Sequence, residues 1–164
     1  MRLLYDESYY NDVIWNPEEE SYELERTVGN QTIWMQIGWV WSHEMSDFSD
    51  KLWWNVALSI YNKSKDMYSN MDDKKITGIN PIQNFIIARK MFDALEAAVV
   101  MDAVRNKRDI YIYTHWVDNR RRDAYYRVLS KKGYRYGRAP WTTKVIMKKF
   151  KWKDYKEMVE NEEF

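Results

Sequence analysis

The sequence predicts an α/β fold in which helices cover both faces of a mixed, mostly antiparallel, twisted sheet. Two aromatic and β-branched stretches, residues 32–41 and 51–61, have the composition of paired antiparallel strands. An apolar stripe over residues 82–103 indicates a long helix, and a strand, a second helix and a hairpin follow it. Because neighbouring strand residues alternate in direction, Trp53 and Trp54 must point to opposite faces, so both faces need cover.

The first 30 residues carry two different signals. Residues 1–15 mix Leu, Tyr, Val and Trp with acids, which leaves a first strand and a short helix as open alternatives. Asn16 and Pro17 then indicate a helix start, because Asn caps well and Pro suits the first helical position. Three acids follow, and negative side chains in the first turn of a helix interact favourably with the helix dipole. This helix is predicted to end at Gly29 and Asn30.

The next part of the chain predicts two strands separated by turns. Gly38, inside the first strand, marks a bulge or a close approach of another backbone. Residues 42–50 predict a polar turn, in which Glu44 and Asp47 are candidate bases for an amine substrate, although any surface turn carries such acids. Residues 62–74 are polar and rich in lysine, so they predict a loop.

Residues 75–81 predict a glycine-containing turn that opens the long helix. Asn80 can cap this helix, and Pro81 suits its first position. The N–H groups of residues 79–83 then point outward at a helix N-terminus, which is a ready site for an anion, and Lys75 adds a positive charge. An ordinary capped helix after a loop accounts for the same residues.

The C-terminal part predicts four further elements. Residues 110–117 are rich in β-formers and predict a strand, and residues 119–132 predict a second helix that ends at Gly133. Residues 135–149 predict a hairpin. Residues 151–164 predict a short amphipathic tail helix.

Composition limits the function classes. At 164 residues with 45% hydrophobic and 31% charged residues, the chain has the profile of one globular domain. The absence of cysteine excludes disulfides, thiolate catalysis and cysteine metal sites. His43 and His115 have no partner at ligand spacing, so no metal site is predicted. No run of 18 apolar residues and no apolar N-terminal segment occurs, so we expect a cytoplasmic protein without a membrane span.

The net charge of +1 hides an asymmetry along the chain. Residues 1–30 hold eight acids against two arginines, whereas residues 104–153 hold sixteen Lys and Arg against three acids. The basic part can attract the phosphates of a cofactor, a nucleic acid or an acidic partner, or it is a solvated surface balanced by the acidic N-terminus. The spaced aromatics of a known RNA or DNA module are missing, so a nucleic acid is the less favoured partner.

The glycine turn and the helix after it resemble the cofactor loop of the GNAT superfamily of N-acetyltransferases. In that family, a loop of the form Gln/Arg-x-x-Gly-x-Gly/Ala holds the pyrophosphate of acetyl-CoA on its N–H groups. The matching residues here are Lys75, Gly78 and Asn80. The resemblance implies that acetyl-CoA is the cofactor and that this segment binds it, through Lys75, Gly78, Ile79, Asn80, Ile82 and Gln83.

A second motif extends the resemblance to about 75 residues. The family carries Asn-x-x-Ala-x-x-x-Tyr-x-x-Leu, followed by Gly-Phe, and its tyrosine often protonates the leaving thiolate. Asn119, Tyr126 and Leu129 keep this spacing, and Arg122 stands at the alanine. The resemblance implies that Tyr126 is the general acid and that Asn119 and Arg122 contact the cofactor.

Each of these positions also fits an ordinary structural role. Asn119 is equally well understood as a helix cap, and Arg122 as part of a solvated basic face. Either Tyr125 or Tyr126 can face the sheet, so a packed tyrosine is an alternative to a general acid. His115 ends its predicted strand where a cleft would lie, so it is a candidate base or an ordinary hydrogen-bonded strand residue.

The resemblance implies transfer of an acetyl group from acetyl-CoA to an amine on a small molecule or a protein. The amine would attack directly in a ternary complex while N–H groups polarise the thioester carbonyl. The rival hypothesis is a catalytically inactive bacteriophage protein of the same fold, virion-associated or bound to a host protein through its Trp-rich strands. Asn80 bears on this choice, because a side chain there can obstruct the pyrophosphate. The acceptor and the oligomeric state do not follow from the sequence.

Overall fold

The computed structural model describes residues 1–39, 52–62, 67–69, 81–116 and 119–159. Within these ranges, eight strands form one sheet, and three α-helices and two 3-10 helices accompany it. The predicted class is confirmed, since the fold is mixed α/β and its sheet is mostly antiparallel.

The elements follow one another in an order close to the predicted one. They are α1 (Glu7–Tyr10), β1 (Ile14–Asn16), β2 (Ser21–Val28), β3 (Gln31–Trp39), β4 (Trp53–Asn62), β5 (Met67–Ser69), α2 (Pro81–Arg105), β6 (Ile110–His115), α3 (Asn119–Leu129), a 3-10 turn (Ser130–Lys132), β7 (Arg135–Ala139), β8 (Thr142–Phe150) and a C-terminal 3-10 helix (Trp152–Val159). The long helix, the second helix and the hairpin were all predicted at these places.

The sheet has the strand order β1-β2-β3-β4-β6-β8-β7, and β5 pairs with the end of β4. Every pairing is antiparallel except that of β4 with β6. This parallel ladder contains only three residue pairs, which join Trp53–Asn55 of β4 to Tyr111–Tyr113 of β6. The two strands continue beyond the ladder, so the sheet has a fork at its centre.

The helix predicted from Asn16 to Gly29 is wrong. The cap itself forms, because the Asn16 Oδ1 atom accepts hydrogen bonds from the N–H groups of Glu18 and Glu19 at 3.0 and 3.2 Å. The turn ends at Glu20, whose φ is +52°. The following residues then pair with β3 as strand β2. Long-range pairing thus outweighs a helix start that is only one turn long.

Three details of the N-terminal half can be compared with the predictions from the sequence. Both alternatives for residues 1–15 occur, since α1 precedes β1. Gly29, with φ +61°, begins a two-residue hairpin turn between β2 and β3. Gly38 lies at a close approach, because a Cβ there would stand 3.0 Å from the Cβ of Ser21.

The main core lies between one face of the sheet and α2. Side chains of β3 and β4 that pair across the strands, such as Ile33 with Ile60, belong to one buried cluster with α2. From Met91 to Val104, α2 is buried on nearly its whole circumference, because α1 and the C-terminal 3-10 helix pack against it as well. A helix buried all round is typical of a central position in a domain.

The described helices all pack on this one face, so the predicted helical cover of both faces is not found in the described residues. Trp54 belongs to the main core, whereas Trp53 lies in a separate cluster on the other face with Tyr113, Ala139 and Val145. The prediction that the two tryptophans point to opposite faces is therefore confirmed. Trp141 packs edge-on against Trp53 at 5.3 Å between ring centroids.

Several boundaries differ from the predicted ones. Strand β5 forms inside the stretch predicted as a loop, and β6 ends at His115. A 3-10 helix, with Tyr155 and Met158 buried, takes the place of the predicted tail helix up to Val159. The predicted turn at residues 42–50 lies outside the described residues.

Candidate functional site

The fork between β4 and β6 leaves backbone groups at two strand edges that pair with no strand in the part of the chain that the structure describes. The C=O of Leu52 accepts a hydrogen bond from the N–H of Tyr111 at 2.7 Å, so Leu52 directs its backbone groups toward β6. Backbone direction alternates along a strand, and therefore Val56 and Leu58 also direct theirs toward β6. The last ladder pair, Asn55 with Tyr113, uses the N–H of Val56. The C=O of Val56 and the backbone groups of Leu58 lie beyond it, and no strand among the described residues pairs with this edge until β5 does.

The facing edge of β6 follows the same rule. Tyr111 directs its N–H toward β4, so His115, four residues later, does so as well. The last ladder pair joins Asn55 to Tyr113, which leaves the His115 N–H on the open side of the fork, whereas its C=O accepts a hydrogen bond from the Thr114 hydroxyl at 3.4 Å. The end of β6 and the middle of β4 therefore face each other across a gap with polar backbone edges.

A cavity of about 290 Å³ lies over this gap, between α2 and α3. The α2 wall consists of Phe85, Ala88, Arg89 and Phe92, which are spaced three, four and seven residues apart. Residues at this spacing share one face of a helix. Phe85 and Phe92 belong to the apolar stripe that the sequence predicted for this helix. The N-terminal half of that stripe therefore lines a cavity and is not packed entirely within the core.

The α3 wall has the same spacing. It consists of Arg121, Ala124, Tyr125 and Val128, and the buried Leu129 closes it. The two helices thus present matching stripes to each other across the cavity. This α3 stripe was not predicted, although its spacing is visible in the sequence.

The floor and the mouth of the cavity differ in polarity. The floor consists of Met35, Val56 and Leu58, which alternate onto the helical face of β3 and β4. The mouth lies where β6 ends, at His115 and Trp116. The result is an apolar chamber with a polar rim, the usual arrangement of a site for a small molecule.

The predicted cofactor loop mostly lies outside the described residues, namely Lys75, Gly78, Ile79 and Asn80. Ile82 and Gln83 lie in the first turn of α2, which begins at Pro81 as predicted. Because Phe85 lines the cavity one turn later, the N-terminus of α2 lies beside the cavity. The cofactor-binding role of these residues stays a prediction.

The predicted general acid, Tyr126, lies beside the cavity without lining it. Its ring stacks on that of Tyr136, with centroids 4.2 Å apart and planes 10° apart. The neighbouring Tyr125 is the tyrosine of α3 that lines the cavity. A one-residue shift on a helix turns a side chain by about 100°, which accounts for the difference.

The other predicted site residues occupy varied positions. His115 lines the mouth and is exposed. Asn119 is exposed and is the first residue of α3. The sequence predicted a helix start at this residue. The Nε of Arg122 donates to the carboxylate of Asp123 at 3.0 Å, and its neighbour Arg121 contributes to the cavity wall.

A second polar cluster, which we call the Glu96 cluster, was not predicted. Glu96 lies on α2 and is 1% exposed. Its Oε2 accepts a hydrogen bond from the Tyr134 hydroxyl at 2.6 Å, and its Oε1 lies 3.0 Å from the Nζ of Lys132. Lys132 also lies 2.6 Å from the carboxylate of Asp93. The cluster ties α2 to the turn after α3 and to the start of β7.

Burial controls the electrostatics of the Glu96 cluster. Burial raises the pKa of Glu96, and the nearby Lys132 ammonium and the Tyr134 hydroxyl oppose that rise. Burial would lower the pKa of Lys132, but Glu96 and Asp93 hold it above its usual value. Glu96 is 1% exposed and does not line the cavity, and its contacts are with Lys132 and Tyr134 of the same domain. The sequence feature that points to the Glu96 cluster is a single acid inside the apolar run of α2, because a buried acid needs a partner.

Two buried polar atoms lie near the fork on the face opposite the helices. Trp53 Nε1 and Asn55 Oδ1 are buried and have no hydrogen-bond partner within the described residues. Buried polar atoms normally have partners. The cavity lies on the helical face, so these two atoms are not placed to contact a ligand in it.

No family model matches the chain, and the searches of curated proteins and of solved structures find no match either. The described His, Asp and Glu side chains form no group of three that could hold a metal ion. Among the helices in the described residues, none combines the length and the apolar content that a membrane-spanning helix needs.

Proposed function

We propose that this protein is an acyl-CoA-dependent N-acyltransferase that moves an acyl group, acetyl in the simplest case, to an amine. The observation that carries the proposal is the forked parallel pair beneath an apolar cavity. A fork of this kind provides polar strand edges and apolar helix walls in one place. A ligand that suits both is extended, carries amides and has apolar segments between them.

The pantetheine arm of coenzyme A has this chemistry. It is a linear chain with two amide groups separated by methylenes, so it can add to a strand edge as an extended peptide does. The C=O of Val56, the backbone groups of Leu58 and the N–H of His115, which pair with no strand among the described residues, are the partners that the fork offers. The helix stripes that contain Phe85 and Tyr125 would cover the apolar parts of the arm.

The phosphates of the cofactor find positive charge on the α2 side of the cavity. The N-terminus of α2 carries the positive end of the helix dipole and lies within one turn of the cavity wall. Arg89 and Arg121 line the same cavity from the two helices. The basic character of residues 104–153 adds a favourable field for an anionic cofactor.

The reaction is the attack of an amine nitrogen on the thioester carbonyl carbon. The carbonyl oxygen gains negative charge, which an N–H at the fork stabilises, and the amine loses its proton to a base. The tetrahedral intermediate then releases the coenzyme A thiolate, which takes up a proton. Tyr125 lines the cavity whereas Tyr126 stacks on Tyr136, which favours Tyr125 as the donor of that proton. His115, at the mouth, is placed to accept the amine proton.

The two neighbouring tyrosines provide a matched pair of variants for testing this proposal. Tyr125→Phe should lower the rate of coenzyme A release by about a hundredfold or more, the contribution usual for a general acid. Tyr126→Phe should leave the rate within about twofold, because it keeps the ring that stacks on Tyr136 and removes a hydroxyl from a residue that does not line the cavity. Release of free thiol from acetyl-CoA in the presence of simple amines measures both, and the absence of cysteine removes any background from the protein.

The opposite result in this assay also has a clear meaning. If Tyr126→Phe loses activity and Tyr125→Phe retains it, the motif-based assignment to Tyr126 is right and the one from the cavity is wrong. If the protein neither binds acetyl-CoA nor releases thiol, the enzyme proposal fails. The catalytically inactive binding module, virion-associated or bound to a host protein, then becomes the better hypothesis.

A further inference from the structure

We infer that the acyl group is an aliphatic chain several carbons longer than acetyl, held in the inner part of the cavity. This inference rests on the proposed function and narrows its substrate class from acetyl-CoA to acyl-CoA with a longer aliphatic chain. It depends on the extent and the polarity of the cavity lining.

The cavity extends well past the strand edges that would bind the cofactor arm. Its floor crosses β4 and reaches Met35 on β3, one strand further from the fork. Its inner wall includes Phe92 and Leu129, which are 6% and 9% exposed. An acetyl group at the fork would supply one methyl and would leave this apolar surface without a partner.

Polarity changes from one end of the cavity to the other. The polar side chains of the lining include Thr114 and His115 at the end of β6 and the arginines of the two helices. The inner surfaces at Met35, Leu58 and Val128 are apolar. This gradient fits an amphiphile whose phosphates stay at the rim and whose hydrocarbon end lies inside.

The volume allows a chain longer than acetyl. The cavity of about 290 Å³ is several times the space of one water molecule, which is about 30 Å³. Its apolar inner part can therefore take further methylenes beyond the thioester.

The test is a series of calorimetric titrations of the full chain with coenzyme A and with its acetyl, butyryl, hexanoyl, octanoyl and palmitoyl thioesters. Each added methylene should lower the dissociation constant about fourfold while it enters the apolar part. Hexanoyl-CoA should therefore bind at least tens of times more tightly than acetyl-CoA. The gain should stop at the chain length that fills the apolar part of the cavity.

Variants of the inner wall test whether the gain in affinity with chain length arises from contacts with that wall. Met35→Trp fills the inner floor, so the ratio of the acetyl to the hexanoyl dissociation constant should collapse toward one. Met35→Leu keeps the volume nearly constant and should keep the ratio within about threefold. Val128→Phe, on the half-buried face of α3, provides a second block if the tryptophan variant does not fold.

The outcomes separate this inference from the proposed function. Equal affinity for acetyl-CoA and hexanoyl-CoA would overturn the inference and leave the acyltransferase proposal standing. A rising affinity that Met35→Trp and Val128→Phe leave intact would also overturn it, since the chain would then bind elsewhere. Binding of none of the thioesters would overturn both.

Discussion

The two halves of α2 differ in what covers them. The half from Asp93 onward is enclosed by the sheet, α1 and the C-terminal 3-10 helix, and its one buried acid is paired within the Glu96 cluster. The half around Phe85 and Ala88 faces the cavity over the fork. The same helix therefore provides a sealed scaffold at one end and an open binding wall at the other.

This contrast indicates where function can reside in the domain. Burying a charge costs several kcal/mol unless geometry and partners are good, so the Glu96 cluster needs a rigid environment. A cavity wall does not need to be enclosed in this way, because its apolar surface remains available for a ligand. We expect substitutions in the sealed half to affect stability, and those in the open half to affect binding.

The largest expected effect comes from Glu96. Glu96→Ala leaves the Lys132 ammonium and the Tyr134 hydroxyl without their shared acceptor, and should lower the free energy of unfolding by about 3–5 kcal/mol. Glu96→Gln retains an acceptor and should cost less. Urea denaturation measures both variants, and a loss below about 1 kcal/mol for Glu96→Ala would mean that the cluster does not hold the sealed half together.

Truncation of one apolar side chain in each half tests the contrast directly. Leu95→Ala removes a side chain with no exposure and should cost about 2–5 kcal/mol. Phe85→Ala should cost less than half of that, because Phe85 is half-buried and already borders a cavity. Thermal unfolding gives both values. Equal losses at the two positions would show that the open half is packed as tightly as the sealed one.

A smaller, pH-dependent effect should separate wild type from Glu96→Gln. Burial raises the pKa of Glu96 above its unfolded value, so the folded protein holds this proton to higher pH than the unfolded chain does. The stability of the wild type relative to Glu96→Gln should therefore fall as pH rises from about 4 toward 8, by at most about 1.4 kcal/mol per pH unit.

Denaturation of both proteins at a series of pH values gives the sign of this difference. The comparison with Glu96→Gln cancels the titration of groups that do not interact with Glu96. Lys132 does interact with it, because Glu96 helps to hold the pKa of Lys132 above its usual value. A rise in the relative stability of the wild type would mean that the Lys132 ammonium outweighs burial.

Much of the fold was predictable from local patterns. The helix that begins at Pro81, the pair β3 and β4 and the final hairpin all follow from periodicity and turn residues. The helix predicted after Asn16 was wrong because a cap and a proline specify one turn only. The residues after Glu20 form a strand because they pair with β3, and this long-range pairing is not visible in the local sequence pattern.

The site was less predictable than the fold. The fork depends on where the β4–β6 ladder ends, which is a tertiary property. The difference between Tyr125 and Tyr126 depends on the rotation of α3 against the sheet, and spacing within a motif does not give that rotation. The Glu96 cluster joins residues 38 positions apart in sequence, so only the isolated acid in α2 pointed to it.

The central claim is that the cavity binds acyl-CoA, and calorimetric titration of acetyl-CoA into three proteins tests it most directly. Ala124 lies on the cavity wall of α3, so Ala124→Phe fills the space whereas Ala124→Ser barely changes it. We expect one-to-one binding to the wild type, a loss of about tenfold or more for Ala124→Phe, and a change within about twofold for Ala124→Ser. Absence of binding to the wild type, or equal binding to all three proteins, would contradict the claim.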